Sequence, residues 1–210
     1  MRSVAAYLLA IALWPFGHAA TFNDPPSSLT IIFQFDRPYS QTSLNSMQRE
    51  LASIMQDSGI DIQWRERAGV KSSDSFSNLV VVNFRGNCIV DAIHMNYTEP
   101  GPLAFTHSSN GTVLPFSDVS CDRVRAAVRG AMWGDDFKRA NFLFGRALAR
   151  VLAHELYHAV AGTYAHAEKG VARRQLSGAD LISDQLRLND AELEQMHAVM
   201  VAPEATPAQR

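Results

Sequence analysis

The stretch FLFGRALARVLAHELYHAVAG, residues 142–162, decides the fold because it predicts one long helix between an α/β half of the chain and a small helical half. Leucine and alanine, which are strong helix formers, fill most of its positions. Asp135 or Asp136 is the expected N-cap of a helix over about residues 137–161. Gly162 is the expected C-terminal stop, since glycine readily adopts the left-handed conformation that ends a helix.

Two histidines and a glutamate in this helix have the spacing of a zinc-hydrolase site. His154 and His158 are four residues apart, so their side chains share one helix face, about 5–6 Å apart at Cβ. Two imidazole nitrogens at that separation can reach one zinc ion. Glu155, about 100° further round the helix, would act on a zinc-activated water as general base and then general acid. The alternative is a helix that displays two surface histidines and holds no metal.

A third histidine follows the end of the helix and completes a possible ligand set. His166 comes shortly after Gly162, and the chain between them is long enough to turn back towards the helix. In the zincin metallopeptidases, which this arrangement of residues resembles, such a histidine completes the zinc site, so the resemblance implies that His166 is the third ligand. The alternatives are the acidic residues Glu168, Asp180 and Asp184, whose carboxylates also bind zinc.

With these residues, the sequence resembles the zincin metallopeptidases and, within them, the metzincins, which share the motif HExxHxxGxxH. Here Gly162 comes one residue later than in that motif, and His166 comes two residues later. Metzincins also carry a methionine in a tight turn beneath the zinc. This chain has no methionine between His166 and Met196, so residues 175–178, QLSG, are the expected occupant of that turn.

The resemblance implies a metzincin-like α/β fold: a twisted mixed sheet with an antiparallel edge strand, a long active-site helix and a small C-terminal helical part. It implies a zinc-dependent peptidase in which His154, His158 and His166 hold Zn²⁺ and Glu155 is the catalytic residue. It also implies that a peptide or protein substrate binds the edge strand by β-addition. A zinc-binding protein that keeps this fold and binds a partner without cleaving it is the second hypothesis. The altered spacing favours that hypothesis, and the retained Glu155 favours the enzyme.

The first half of the chain predicts an α/β pattern of the same kind. Residues 29–35 and 79–84 are apolar and rich in β-branched side chains, and residues 60–64 alternate between apolar and polar, so all three predict strands. Ser40 is the expected cap of a helix between the first two strands, and Gly59 ends it. This order predicts right-handed crossovers and a mostly parallel sheet.

The next segment predicts a hairpin at the edge of the sheet. Residues 103–106 and 112–116 flank Asn110 and Gly111, and Asn-Gly is a strong hairpin signal. One edge strand should therefore be antiparallel. Further helices are predicted at residues 122–128, with Asp122 as the cap, and at residues 177–187 and 189–201.

The two ends of the chain predict export and a polar tail. Residues 1–20 have a basic start, an apolar run and small residues at a signal-peptidase site, so we expect cleavage after Ala19 or Ala20. An uncleaved anchor is the alternative, although the run is shorter than the about 20 apolar residues of a membrane span. Residues 21–201 predict a single catalytic domain. Residues 202–210 are polar and predict a disordered tail.

Composition indicates which partners to expect, and the two cysteines indicate a disulfide. The chain is 47% hydrophobic and 19% charged, with a net charge of −2 and no basic run. We therefore expect no nucleic-acid partner, no membrane partner after signal cleavage, and a monomer. In an exported protein, Cys88 and Cys121 predict a disulfide, and two buried free thiols are the alternative.

The remaining histidines and two tyrosines have weaker claims to a role. His94 and His107 have no spaced partner, and His197 belongs to the predicted C-terminal helix; all three are expected at the surface. Tyr157 is expected to point away from the histidine face into the core or the cleft wall. Tyr164 could polarise a substrate carbonyl, and a packing role for its ring is the alternative. No GxSxG, Walker A or GxGxxG string occurs, so serine-hydrolase and nucleotide chemistry have no support.

Overall fold

Residues 27–90 and 99–201 are described by the computed structural model. The expected signal segment, residues 1–20, and the expected tail, residues 202–210, lie outside these ranges. Five strands form one sheet in the order β2-β1-β3-β5-β4. Their bounds are Ser27–Phe35 (β1), Ile60–Glu66 (β2), Leu79–Arg85 (β3), Ala104–Ser109 (β4) and Thr112–Ser120 (β5).

Five α-helices and three short 3₁₀ turns complete the described part of the chain. The helices are Gln41–Met55 (α1), Cys121–Ala131 (α2), Ala140–Ala161 (α3), Gly178–Ile182 (α4) and Asp190–Val201 (α5). The 3₁₀ turns are Gln56–Ser58, Arg67–Gly69 and Gly134–Arg139. None of these helices is both long and apolar enough to cross a membrane.

The predicted mixed sheet with an antiparallel edge strand is confirmed. β1 lies between β2 and β3 and is parallel to both, and β3 is parallel to β5. β4 is antiparallel to β5 and forms one end of the sheet. The hairpin turn between them follows the Asn-Gly signal, since Asn110 has φ 50° and Gly111 has φ 79°. β5 continues past the expected residue 116 because its second half pairs with β3.

The core lies between the sheet and the long helix α3. Alternate residues of β1 and β3 face this core, as strand periodicity requires: Leu29, Ile31, Phe33, Val80, Val82 and Phe84. α3 packs against β4 and β5 on one side and against the other helices on its remaining sides. The long helix is therefore central to the domain.

The start of α3 differs from the prediction. Residues 134–139 form a 3₁₀ turn, and α3 begins at Ala140 rather than near residue 137. Asp136 accepts a hydrogen bond from the backbone N–H of Trp133 and pairs with Arg139, so its carboxylate closes the short turn instead of capping α3. The end of α3 is confirmed, since Gly162 has φ 61° and its N–H bonds to the carbonyl of His158.

The helix predicted over residues 177–187 was too long, because α4 ends at Ile182. The predicted Ser177 and Asp180 capping pair is present. Arg150 and Arg146 of α3 donate hydrogen bonds to the backbone carbonyls of residues 180–183. Those carbonyls would otherwise accept the N–H groups of a continuing helix, so the arginines end α4 early.

The other predicted helices are present with small changes. α2 begins one residue early, and its cap is Ser120 rather than Asp122, because the Ser120 side chain accepts from the N–H of Arg123. α5 begins after Asn189, whose side chain accepts from the N–H of Glu192 as predicted. The predicted disulfide between Cys88 and Cys121 is also present, and it joins the chain after β3 to the first residue of α2.

Candidate metal centre

Three histidines meet at the end of α3. His154 and His158 share one face of the helix, and the left-handed Gly162 turns the chain so that His166 comes back beside them. One nitrogen from each ring lies within 4.8 Å of the others. The ring centroids of His154 and His158 are 4.7 Å apart, and that of His166 is 5.3 Å and 4.8 Å from them. The structure thus brings together all three residues that the sequence singled out.

Backbone carbonyls fix the tautomers of the two helical histidines. Nδ1 of His154 lies 2.9 Å from the carbonyl oxygen of Val171, and Nδ1 of His158 lies 2.8 Å from that of Thr163. A carbonyl oxygen only accepts, so each Nδ1 carries the proton and each Nε2 presents a lone pair. Carbonyl partners of this kind orient ligating histidines in metal sites.

The two Nε2 atoms face each other 3.0 Å apart. Two lone pairs at that distance repel unless a proton or a cation lies between them. Burial lowers the pKa of His154 to about 4, so a proton is not available at neutral pH. Two nitrogens bound tetrahedrally to one zinc ion at about 2.0–2.1 Å lie about 3.3 Å apart, so the pair fits a zinc ion.

His166 offers the third nitrogen of the group. Its Nδ1 is shielded from solvent and has no hydrogen-bond partner among the described residues. Burial lowers the pKa of His166, and the positive charge of Arg174 lowers it further. Burial also lowers the pKa of His158. All three imidazoles are therefore neutral at neutral pH, and the neutral form is the one that binds a metal.

The alternative third ligands have other partners or lie apart from the histidines. Asp180 pairs with Arg173 and accepts hydrogen bonds from Ser177. Asp184, which follows α4, pairs with Arg146. Glu168 is not grouped with the helical histidines, whereas His166 is. Among these candidates, His166 has the geometry of a ligand.

Glu155 is buried beside the histidines and is only 5% exposed. Its Oε2 accepts a hydrogen bond of 2.6 Å from the hydroxyl of Thr106, which belongs to the edge strand β4. Burial raises the pKa of Glu155 to about 7, and the Thr106 hydrogen bond opposes part of that rise. Thr106 was missed in the sequence, because the contact joins residues 49 positions apart and no local pattern signals it.

A cleft adjoins the histidines and runs between the edge strand and the chain before α4. Its volume is about 610 Å³. It is lined by Leu103 and Ala104 at the start of the edge strand, by His154 and Glu155 of α3, and by residues 173–177. Three of the four QLSG residues, Gln175, Leu176 and Ser177, therefore line the cleft.

The remaining predicted residues fall into three groups. Tyr157 is buried, as predicted, and its hydroxyl donates to Gln195, but its ring does not turn fully away from the histidines, since its centroid lies 5.6 Å from that of His158. Tyr164 and His107 are at least partly exposed, and His107 lies near Asp118. His197 was predicted at the surface and is instead 6% exposed, because α5 packs it against the turn after α1. His94 lies outside the described residues.

Comparison with solved structures shows a distant likeness of fold. No protein-family profile matches the chain, and no curated protein matches its sequence. The structure is similar to that of archaemetzincin from Methanopyrus kandleri, with a TM-score of 0.48 and 12% sequence identity. The likeness covers 85% of this chain and 97% of the other. A likeness this distant says nothing about what the present chain binds.

Proposed function

We propose that the protein is a zinc-dependent metallopeptidase in which His154, His158 and His166 hold one Zn²⁺ and Glu155 is the catalytic residue. The observation that carries the proposal is the pair of Nε2 lone pairs, 3.0 Å apart, on rings whose tautomers are set by backbone carbonyls. Such an arrangement is unfavourable for a merely structural pair of histidines and favourable for a metal site.

Bound zinc would polarise a substrate carbonyl and lower the pKa of a water molecule towards neutral. Glu155 would take a proton from water and pass it to the leaving amine. A pKa near 7, raised by burial, suits a group that must both accept and release a proton at neutral pH. Its Oε1 has no hydrogen-bond partner among the described residues and is available for this exchange.

A peptide or protein is the proposed substrate, and the cleft supports this class. β4 ends the sheet, so its outer backbone groups have no described strand beside them. An extended peptide could pair with that edge as an additional strand, which would lay its backbone along the cleft beside Glu155. Leu103 and Ala104, at the start of this edge, already line the cleft.

The test combines metal analysis with peptide cleavage. After reconstitution we expect about one zinc ion per chain, less zinc in His154→Ala and His166→Ala, and full zinc in Glu155→Gln. Cleavage of a mixed peptide library should fall about 10²- to 10⁴-fold in Glu155→Gln. Glu66→Gln is the matched control, since it makes the same change on an exposed residue of β2, at the opposite edge of the sheet, and should alter neither readout. A wild-type protein that binds no zinc would refute the proposal.

A zinc-binding protein without peptidase activity is the second candidate. The shifted positions of Gly162 and His166 and the methionine-free QLSG segment favour it. It predicts zinc in the wild-type protein with no more peptide cleavage than in Glu155→Gln. Retention of a buried glutamate with a raised pKa beside the histidines favours the enzyme.

We also propose that the protein is exported and acts as a monomer. The disulfide between Cys88 and Cys121 supports an oxidising compartment, where such bonds persist. N-terminal sequencing of the protein recovered outside the cytoplasm should begin at Ala20 or Thr21. Light scattering of the same sample should give the mass of one chain. An intact N-terminus on an exported chain would instead support the membrane anchor.

A further inference from the structure

We infer that Thr106 is the positioning residue of the proposed reaction: its hydroxyl, supported by Ser117, holds the Glu155 carboxylate in place for proton transfer. This inference rests on the proposed function and adds a residue that the sequence did not indicate. Thr106 Oγ1 lies 2.6 Å from Oε2 of Glu155, 3.0 Å from Oγ of Ser117 and 3.2 Å from the backbone oxygen of Glu155.

The single hydroxyl proton of Thr106 can be assigned from these distances. The shortest contact is to the carboxylate oxygen Oε2, which carries negative charge when Glu155 is ionised, so Thr106 donates to it. Ser117 must then donate to Thr106, since the Thr106 proton is already used. The result is a chain of two hydrogen bonds, from Ser117 to Thr106 and from Thr106 to Glu155, in which each bond polarises the next.

Two rigid elements hold this chain in place. The antiparallel register of the hairpin sets Thr106 directly opposite Ser117, and Ser117 is fully buried. Threonine is β-branched, so its side chain has few rotamers and keeps its hydroxyl where the backbone aims it. The pairing of β4 and β5 shifts register between Thr106 and Ser108, and such irregularities commonly re-aim side chains beside active sites.

Of the two carboxylate oxygens of Glu155, one accepts the hydrogen bond from Thr106 and the other remains for proton transfer. Thr106 fixes Oε2, which restricts rotation of the carboxylate and leaves Oε1 without a described partner. A general base must lie within hydrogen-bond reach of the proton it removes, and a displacement of about 1 Å can lower a rate about 10²-fold. Thr106 therefore acts through Glu155 and not through the substrate.

The experiment compares Thr106→Val, which keeps the shape and removes the hydroxyl, with Thr106→Ser, which keeps the hydroxyl. In Thr106→Val we expect kcat to fall about 10- to 100-fold with KM and zinc content unchanged. Thr106→Ser should recover most of the activity and also serves if the valine variant folds poorly. Thr112→Val is the matched control, because it makes the same change on an exposed residue of the same hairpin.

A second readout does not depend on turnover. The probe is a peptide hydroxamate, which would bind the zinc site and place its hydroxyl next to the carboxylate of Glu155. The affinity of the protein for this hydroxamate should fall several-fold in Thr106→Val and stay unchanged in Thr112→Val. Wild-type kcat and hydroxamate affinity in Thr106→Val would overturn the inference and leave the proposed function intact. A wild-type protein that binds zinc and hydroxamate but cleaves no peptide would refute the proposed function. A weaker hydroxamate complex in Thr106→Val would even then support the positioning of Glu155.

Discussion

The Nε2 atoms of His154 and His158 lie 3.0 Å apart, with a backbone carbonyl against the opposite nitrogen of each ring. Helix spacing explains why the rings are neighbours. The carbonyls of Thr163 and Val171, which come after the helix, explain why both rings present lone pairs. The site therefore depends on the turn at Gly162 as much as on the helix, because that turn places the carbonyl of Thr163 and the ring of His166 beside the helical histidines.

Removal of zinc should lower the thermal stability of the protein. A ligand present at about 1,000 times its Kd stabilises the folded state by about 4 kcal/mol. For a domain of this size, that corresponds to about 8–16 °C in Tm. We expect a chelator to lower the Tm of the zinc-loaded wild-type protein by this amount, measured by circular dichroism.

His158→Ala is the control for that measurement. It removes one of the proposed ligands, so its Tm should be the same with and without the chelator. The prediction fails if the chelator shifts both proteins equally, or if it shifts neither after zinc reconstitution.

Local patterns in the sequence were enough to predict most of the fold. The Ser40 side chain accepts the N–H of Ser43 and begins α1 as predicted, and Gly162 ends α3 in the left-handed conformation. Both signals lie within a few residues of the structure they determine. The HExxH spacing likewise placed His154 and His158 on one face without any knowledge of the tertiary structure.

What the sequence did not predict depends on contacts between distant residues. α4 stops early because arginines about 30 positions away bind its carbonyls, as the hydrogen bond from Arg150 to the carbonyl of Asp180 illustrates. The Thr106 contact with Glu155 exists only because the β4-β5 hairpin packs beside α3. His197 is buried because α5 packs on the rest of the domain. Periodicity and capping rules contain none of this information.

A methyl group at Gly145 should disrupt the packing of α3 on α1. A Cβ built there would overlap the backbone oxygen of Ser43 and approach the Cβ of Ser46 to 2.7 Å. Because one of these atoms is backbone, a change of rotamer cannot relieve the overlap. We expect Gly145→Ala to lower the free energy of unfolding by about 1–3 kcal/mol, measured by urea denaturation.

Gly130→Ala is the matched control for this substitution. Gly130 also lies in a helix, and a Cβ there would meet nothing within 4 Å. The higher helix propensity of alanine should leave stability unchanged or raise it by up to about 1 kcal/mol. Equal effects of the two substitutions would show that close packing at Gly145 is not what determines the result.

Arg150 should be essential for stability because it is a buried charge with several partners. It is 1% exposed, forms an ion pair with Glu50 and donates to the carbonyls of Asp180 and Leu181. Arg150→Met would leave the carbonyl of Leu181 without its donor and Glu50 with only its longer ion pair to Arg146, at 3.6 Å. We expect the free energy of unfolding to fall by about 3–5 kcal/mol, measured by denaturant titration.

An exposed ion pair provides the comparison for Arg150. Lys138 pairs with Asp135 near the start of α3, and both side chains are largely exposed to solvent. Because solvent screens such pairs, Lys138→Met should change stability little. If Arg150→Met were equally mild, the buried network between α3 and α4 would not be a source of stability.

Reduction of the disulfide should destabilise the protein without removing zinc. The bond joins Cys88 and Cys121, which are 33 positions apart, and closing a loop of that length stabilises the folded state by about 3–4 kcal/mol. We therefore expect a reducing agent to lower the free energy of unfolding of the wild-type protein by this amount. None of the proposed zinc ligands is a cysteine, so the zinc content should stay the same. In Cys88→Ser/Cys121→Ser the reducing agent should have no effect, and a drop there would mean that it acts on something other than this bond. Unchanged stability of the reduced wild-type protein would show that packing around α2 holds this region together without the bond.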